Sequence, residues 1–438
     1  MTVSVINYPI IGSIMSSNNV TMRRTSGGIT VVTEQIPGAI SSGYMVGVNT
    51  GSRDESPDIF GLSHLLEHVV FRATKTRTSF QMSKEIEGAG GETNAFTAKE
   101  MTAFYASTIK DTANVAKDLV ADIVANPLIG KEDTELEKKI VLQEISMVEN
   151  EPDSYIHDLF DMAIWKGHEL SQAEAGTREV VKGLTNVDLR KYYDERYRIP
   201  NLSVFACGAV DPDDVVAWAE ENFDPMSGGR PNPRKRPEVK GSGYTFHKRK
   251  EDHCYVGMGF RGYDASSKDR YALQLLSAVL GSGMSSRLFQ SVREEKALVY
   301  SVYNTVSQFT DASTFAAFMS STEENVLEAI ETTAKAYRQL KENGLTEGEL
   351  TRSRNLVKGA LIRYMESTSH RLYRLARNTM LTGQVETFED RLAALDAVTE
   401  EDVMRVAQDI LDPNGLNIVM FGNDVKDMKD FSVDQLDF

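Results

Sequence analysis

His64 and His68 stand one helical turn apart with Glu67 between them, in the run Gly61-Leu-Ser-His-Leu-Leu-Glu-His-Val-Val-Phe71. Positions i, i+3 and i+4 share one face of an α-helix. Two imidazoles so placed can bind a single zinc ion, and a carboxylate on the same face can reach a water held there. Leu65, Leu66, Val69 and Val70 supply an apolar opposite face that can be buried. The order H-x-x-E-H is the reverse of the commoner H-E-x-x-H. A catalytic zinc site uses three protein ligands plus water, so the two histidines are one ligand short. The helix predicted over Glu132–Val148 offers two candidates. Glu137 and Glu144 are seven residues apart and nearly eclipsed, with Val141 on the same stripe, which predicts a partly buried acidic face.

The elements that must position these residues come in two sets. The stretch Asp224–Gly243 (DPMSGGRPNPRKRPEVKGSG) holds four of the twelve prolines, four glycines and five basic residues. It can pack little and cannot sustain a helix or a central strand, so it reads as a linker between domains at 1–223 and 244–438. The two parts resemble each other. The helix-then-strand run Thr185–Cys207 recurs at Thr399–Phe421, an offset of 399 − 185 = 214. Phe104–Val115 recurs at Phe315–Val326, an offset of 211. Two matches at nearly one offset indicate a duplicated domain. At that offset His64–His68 falls on Leu275–Val279, which cannot ligate zinc, so the second half carries no metal site.

Strands are expected at Ile29–Glu34 and Ser42–Asn49, and a hairpin at Ser301–Phe309 and Ser313–Ser320 around Thr310-Asp311. Long helices are expected at Val115–Ala125, Glu132–Val148 and Val326–Leu340. Consecutive strands followed by long helices favour α+β: in each half, a mostly antiparallel sheet covered by helices.

Composition narrows the function classes. The chain has 438 residues, 41% of them apolar and 26% charged, which suits a globular protein with ample core. The net charge, 48 − 64 = −16, disfavours non-specific binding to nucleic acid and favours basic partners. There is no phosphate-binding loop and no dinucleotide motif. No apolar run reaches the ~18 residues of a membrane helix. Two cysteines, Cys207 and Cys254, exclude a disulfide framework and suit a reducing compartment. The segment Val3–Met15 contains Asn7 and Pro9, and no Lys or Arg precedes Arg23, so neither a secretory signal nor a transit peptide is expected. The expected location is the cytoplasm; the periplasm or mitochondrial matrix would require a targeting segment already removed.

Two further stretches complete a pattern. One is Gly90-Gly-Glu-Thr-Asn-Ala-Phe-Thr97, followed by Glu100, Thr102 and Tyr105. The other is Gly281-Ser-Gly-Met-Ser-Ser-Arg-Leu-Phe-Gln-Ser-Val-Arg-Glu-Glu-Lys-Ala-Leu-Val-Tyr300. With the histidine motif, they make the chain resemble, over nearly its whole length, the inverzincin metallopeptidases: the insulinase, pitrilysin and mitochondrial processing peptidase family. The resemblance implies one zinc per chain, held by His64, His68 and Glu144, the last 144 − 68 = 76 residues on. It makes Glu137 a helper and Glu67 the general base of a metal-assisted peptide hydrolysis. Asn94, Ala95 and Phe96 would lie on the active-site edge strand and pair with the substrate backbone, which requires an extended, unfolded oligopeptide. Arg293 would donate to substrate carbonyls and Tyr300 to the oxyanion. Ser282 departs from the all-glycine loops of shorter members. Trp165–Leu170 with Gly176-Thr177 matches a further, structural stretch, and His168 in it reads as non-catalytic.

By the same resemblance a chain of this length is half of a clam-shell. It would work as a homodimer with sites shared between chains, or as one subunit of a heterodimer. The substrate would be a peptide, with basic ones favoured by the acidic charge balance. The rivals are a non-catalytic relative and a presequence-processing subunit.

Overall fold

The computed structural model describes residues 19–238, 241–423, 425 and 431–438. The segment Val3–Met15 and linker residues 239–240 lie outside the described residues.

The first sheet comprises β1 (Val20–Arg24), β2 (Thr30–Gln35), β3 (Ser41–Val48), β4 (Glu92–Thr97), β5 (Thr102–Ile109) and β6 (Leu202–Gly208), in the order β1-β2-β6-β3-β5-β4. The second comprises β7 (Gly243–Lys248), β8 (Cys254–Arg261), β9 (Val299–Gln308), β10 (Ser313–Ser321) and β11 (Asn417–Gly422), in the order β7-β11-β8-β10-β9. Without β1, the two orders are the same element for element. Each has one parallel pair, β2 with β6 and β7 with β11, and is otherwise antiparallel. The fold is α+β and internally duplicated. The expected strands and long helices are present with ends shifted by at most three residues; the hairpin, for example, is formed by β9 and β10.

Each sheet is covered on both faces, which is why the central strands β3, β6 and β10 are buried almost throughout rather than alternating between buried and exposed residues. One face of the first sheet meets its own helices, Leu62–Val70, Ala113–Ala125 and Lys131–Asn150 among them. The other face meets a helix from the second half, Thr368–Thr382, whose Leu372, Leu375 and Ala376 pack on Val32, Met45 and Phe205. The exchange is reciprocal. Helix Pro152–Ile164 of the first half lays Ile156, Leu159 and Phe160 on Phe318, Val419 and Phe421 of the second sheet. Glycines make room on both sides: a Cβ at Gly47 would sit 2.5 Å from the Met380 sulfur, and one at Gly257 2.9 Å from the Phe160 ring. Arg371 and Arg374 of the exchanged helix both bind the buried Glu34 of β2.

The linker departs from expectation. Its described residues before Gly243, where β7 begins, form neither helix nor strand, but they are packed. Arg234 donates to both oxygens of Asp54 at 2.9 and 2.7 Å, and the Lys235 carbonyl accepts from Arg53 at 2.6 Å. Its prolines exclude regular structure, not side-chain contacts.

Candidate metal centre

Helix Leu62–Val70 begins at Gly61, whose φ of 93° is costly for any residue with a Cβ. Glu55, itself buried, accepts from the Gly61 and Ser63 amides at 2.7 and 2.6 Å, satisfying donors that the first turn would otherwise leave unpaired. Leu62, Leu65, Leu66, Val69 and Val70 are buried, which turns His64, Glu67 and His68 toward the other side. Helix Lys131–Asn150 crosses there, with Val141 fully buried between Glu137 and Glu144.

His64, His68 and Glu144 offer ligand atoms that all lie within 4.8 Å of one another, the one such triplet of His, Cys, Asp and Glu among the described residues. Glu144 Oε2 is 3.6 Å from His64 Nε2 and 3.4 Å from His68 Nε2. Two ligands on a tetrahedral zinc, each at ~2.0–2.1 Å from it, are about 3.4 Å apart. Both Glu144 separations match that spacing, so the donor set fits such an ion. Glu137 Oε2 lies 3.1 Å from His68 Nδ1. A proton on Nδ1 satisfies that contact and leaves the Nε2 lone pair for a metal. Arg72 stands 3.5 Å from the other Glu137 oxygen.

Glu67 receives a hydrogen bond from Thr97 Oγ1 at 2.7 Å. Burial lifts its carboxyl above the ordinary value, which the Thr97 bond and the nearby His68 oppose. Thr97 ends β4, and β4 is the free edge of the first sheet. Asn94 is exposed there, and the Ala95 amide is held by Asn94 Oδ1 at 2.8 Å; Phe96, on the face away from Thr97, packs against Tyr373. A cavity of about 290 Å³ is lined by Glu67, His68, Phe71, Arg72, Thr93, Asn94 and Glu137. A larger one of about 760 Å³ is lined by Glu55, Tyr192 and linker residues, and by none of the metal-ligating set. An extended chain needs an open edge rather than an enclosed cavity, so the smaller one is the relevant space.

Burial and the neighbouring His68 hold His64 neutral, with its pKa lowered to about 4. A depressed pKa contributes stability that is complete above the unfolded value and lost as pH falls. Metal-free protein is therefore expected to lose up to ~3 kcal/mol between pH 6.5 and pH 4. Urea melts in chelator across that range check this. A His64→Gln variant should flatten the profile; an unchanged slope would assign the loss to other groups.

Arg293 and Tyr300 are not brought to this site. Arg293 lies in the π-helical turn Phe289–Glu294, over the rings of Phe289 and Tyr300 at 4.9 and 5.9 Å. Tyr300 is 77% exposed, and among the described residues no hydrogen bond or ring contact joins the pair to His64, Glu67, His68 or Glu144. His168 bonds the Leu170 amide and the Lys235 carbonyl. The sequence reading missed Glu55, Arg72 and Thr97 as partners of the site. Arg72 had a local signal, lying one turn beyond His68, and Thr97 closes the edge-strand run; Glu55 lies on a loop that meets the helix start only in space.

Duplicated sheets, a free edge strand and an H-x-x-E-H helix completed by a remote glutamate define a two-domain protein built like the inverzincin peptidases. Residues 30–178 match the family described as Insulinase (Peptidase family M16), and residues 183–357 the Peptidase M16 inactive domain. An uncharacterized zinc protease of Streptomyces coelicolor is 34% identical over 402 residues, covering 89% of this chain and 87% of its own. The uncharacterized zinc protease YmxG of Bacillus subtilis is 32% identical over 384 residues, covering 87% and 93%. In fold, the chain is similar to a Helicobacter pylori protease, with a TM-score of 0.84 at 20% identity over 92% of this chain and 99% of that one. The chain belongs to peptidase family M16. No helix among the described residues is long and apolar enough to cross a membrane.

Proposed function

We propose that this chain is a zinc metalloendopeptidase that hydrolyses extended, unfolded oligopeptides. The observation that carries the reading is the convergence of His64, His68 and Glu144 beside Glu67, at the open edge of β4. His64, His68 and Glu144 would hold the zinc, which would supply Lewis acidity enough for water to react near neutrality. Glu67 accepts the proton of the attacking water and returns it to the leaving nitrogen. Glu137 fixes the His68 ring. The backbone of Asn94–Phe96 aligns the peptide as an added strand, a substrate carbonyl taking the Ala95 amide from the Asn94 side chain. The second half contributes Arg293 and Tyr300. The retained metal set speaks against a non-catalytic subunit. The charge of −16 favours basic peptides, and two buried, unpaired cysteines suit the cytoplasm.

The exposed Tyr300, apart from its own chain's histidines, supports a homodimer in which each site takes Arg293 and Tyr300 from the partner. Mixing tests this. Glu67→Gln and Tyr300→Ala chains, each inactive alone, should recover about a quarter of parental activity, because half the dimers are hybrids with one intact site. No recovery, with subunit exchange confirmed, would place the whole site in one chain.

A further inference from the structure

Among the described residues the second half supplies no member of the metal triplet, yet its β9–β10 hairpin reaches the β4–β5 turn of the first half. The tip residue Thr310 gives its amide and its hydroxyl to the two oxygens of Glu100, at 2.9 and 2.8 Å. Asp311 takes both guanidinium nitrogens of Arg53, at 2.7 and 2.8 Å, and Arg53 also binds Glu100. Arg53 and Glu100 are 3% and 4% exposed, so these charges are desolvated and each depends on the others. Arg234 adds a bond to the Glu100 carbonyl at 2.8 Å.

Glu100 sits in the turn between β4 and β5. That turn is also gripped from the Arg53 side: the Ser52 and Arg53 amides donate to the Ala98 and Lys99 carbonyls at 3.3 and 2.8 Å. An edge strand has one strand neighbour rather than two, so the turn that follows it weighs heavily on where its last residue stands. That last residue is Thr97, whose hydroxyl reaches Glu67 at 2.7 Å.

We propose that Thr97 is a positioning residue for Glu67, and that the hairpin tip of the second half, through Glu100, sets the position of Thr97. This rests on Glu67 being the general base. The second half thereby acts on the chemistry of its own chain, separately from any residue it presents to a partner. The Thr97 hydroxyl occupies one Glu67 oxygen and leaves the other for the water. Without it, the carboxylate can turn away from the water while the metal ligands stay in place.

The experiment uses the full-length zinc-loaded protein and an internally quenched unfolded peptide. Thr97→Val, which keeps the shape and removes the hydroxyl, should lower kcat about 10–100-fold, with KM and zinc per chain unchanged. Thr97→Ser should restore kcat to within about threefold of the parent. Asp311→Asn, with its melting temperature recorded, should lower kcat about 3–10-fold and speed hydrogen exchange over residues 92–100. In the Thr97→Val background, Asp311→Asn should add less than about twofold, since both changes act through one contact. Glu67→Gln is the reference. If Glu67→Gln is inactive but Thr97→Val turns over within twofold of the parent, the positioning role is wrong. Full additivity of Thr97→Val and Asp311→Asn would overturn the link to the second half. Normal turnover by Glu67→Gln would overturn the general-base reading, and this inference with it.

Discussion

Glu67→Gln is expected to bind one zinc per chain and to hydrolyse peptide about 10²–10⁴-fold more slowly than the parent, the usual contribution of a positioned acid–base group. The glutamine keeps the size of the side chain and can still accept from Thr97, so the helix and the metal triplet should be undisturbed. What is lost is the capacity to take a proton and give it back. Zinc by atomic absorption and kcat on a quenched peptide check the two halves of the statement separately. Near-parental kcat would remove Glu67 from the role of base. Loss of zinc would make it a member of the metal-binding set instead.

The second large effect is on the metal. Glu144 supplies the one carboxylate of the triplet, and Glu137 touches it only through His68. Glu137→Gln should weaken zinc about 10–100-fold, the usual cost of losing the partner of a ligating histidine. Glu144→Ala should weaken zinc more than that, because a ligand itself is gone and the two imidazoles alone make an incomplete site. Competition with a chromophoric chelator gives both affinities. The parent should gain thermal stability on zinc addition, by ~2.7 kcal/mol once zinc stands at 100 times its dissociation constant, whereas Glu144→Ala should gain none at that concentration. Equal affinities for the two variants, or a stronger effect at Glu137, would exchange the roles of the two glutamates.

Both predictions bear on how the work is divided between the halves. The second half has the same strand order as the first, but Leu275–Val279 stand where the histidine motif would be, and all five are buried. Duplication preserved the scaffold while the face that carries metal in the first half became core in the second.

Much of this was legible along the chain. The spacing of His64, Glu67 and His68 specifies one face of a helix whatever surrounds it, because 3.6 residues per turn is a local property. The seven-residue interval from Glu137 to Glu144 likewise places both on one stripe, and the structure brings both to His68 from the same helix. The offset of 211–214 residues anticipated two sheets of one topology. The lack of regular structure in the linker's described residues before β7 followed from its prolines and glycines, but its ion pair with Asp54 did not, since nothing local to Arg234 indicates a partner 180 residues away.

The chemical inventory and the secondary elements were written along the chain, because ligand type, helical periodicity and strand patterning are read over a few residues. The tertiary structure alone decided which glutamate meets which ring nitrogen, that the halves exchange helices Pro152–Ile164 and Thr368–Thr382, and that Arg293 and Tyr300 stand apart from the histidines of their own chain. Those outcomes depend on contacts between residues far apart in the chain. Burial and shape select them, and no local pattern carries that information.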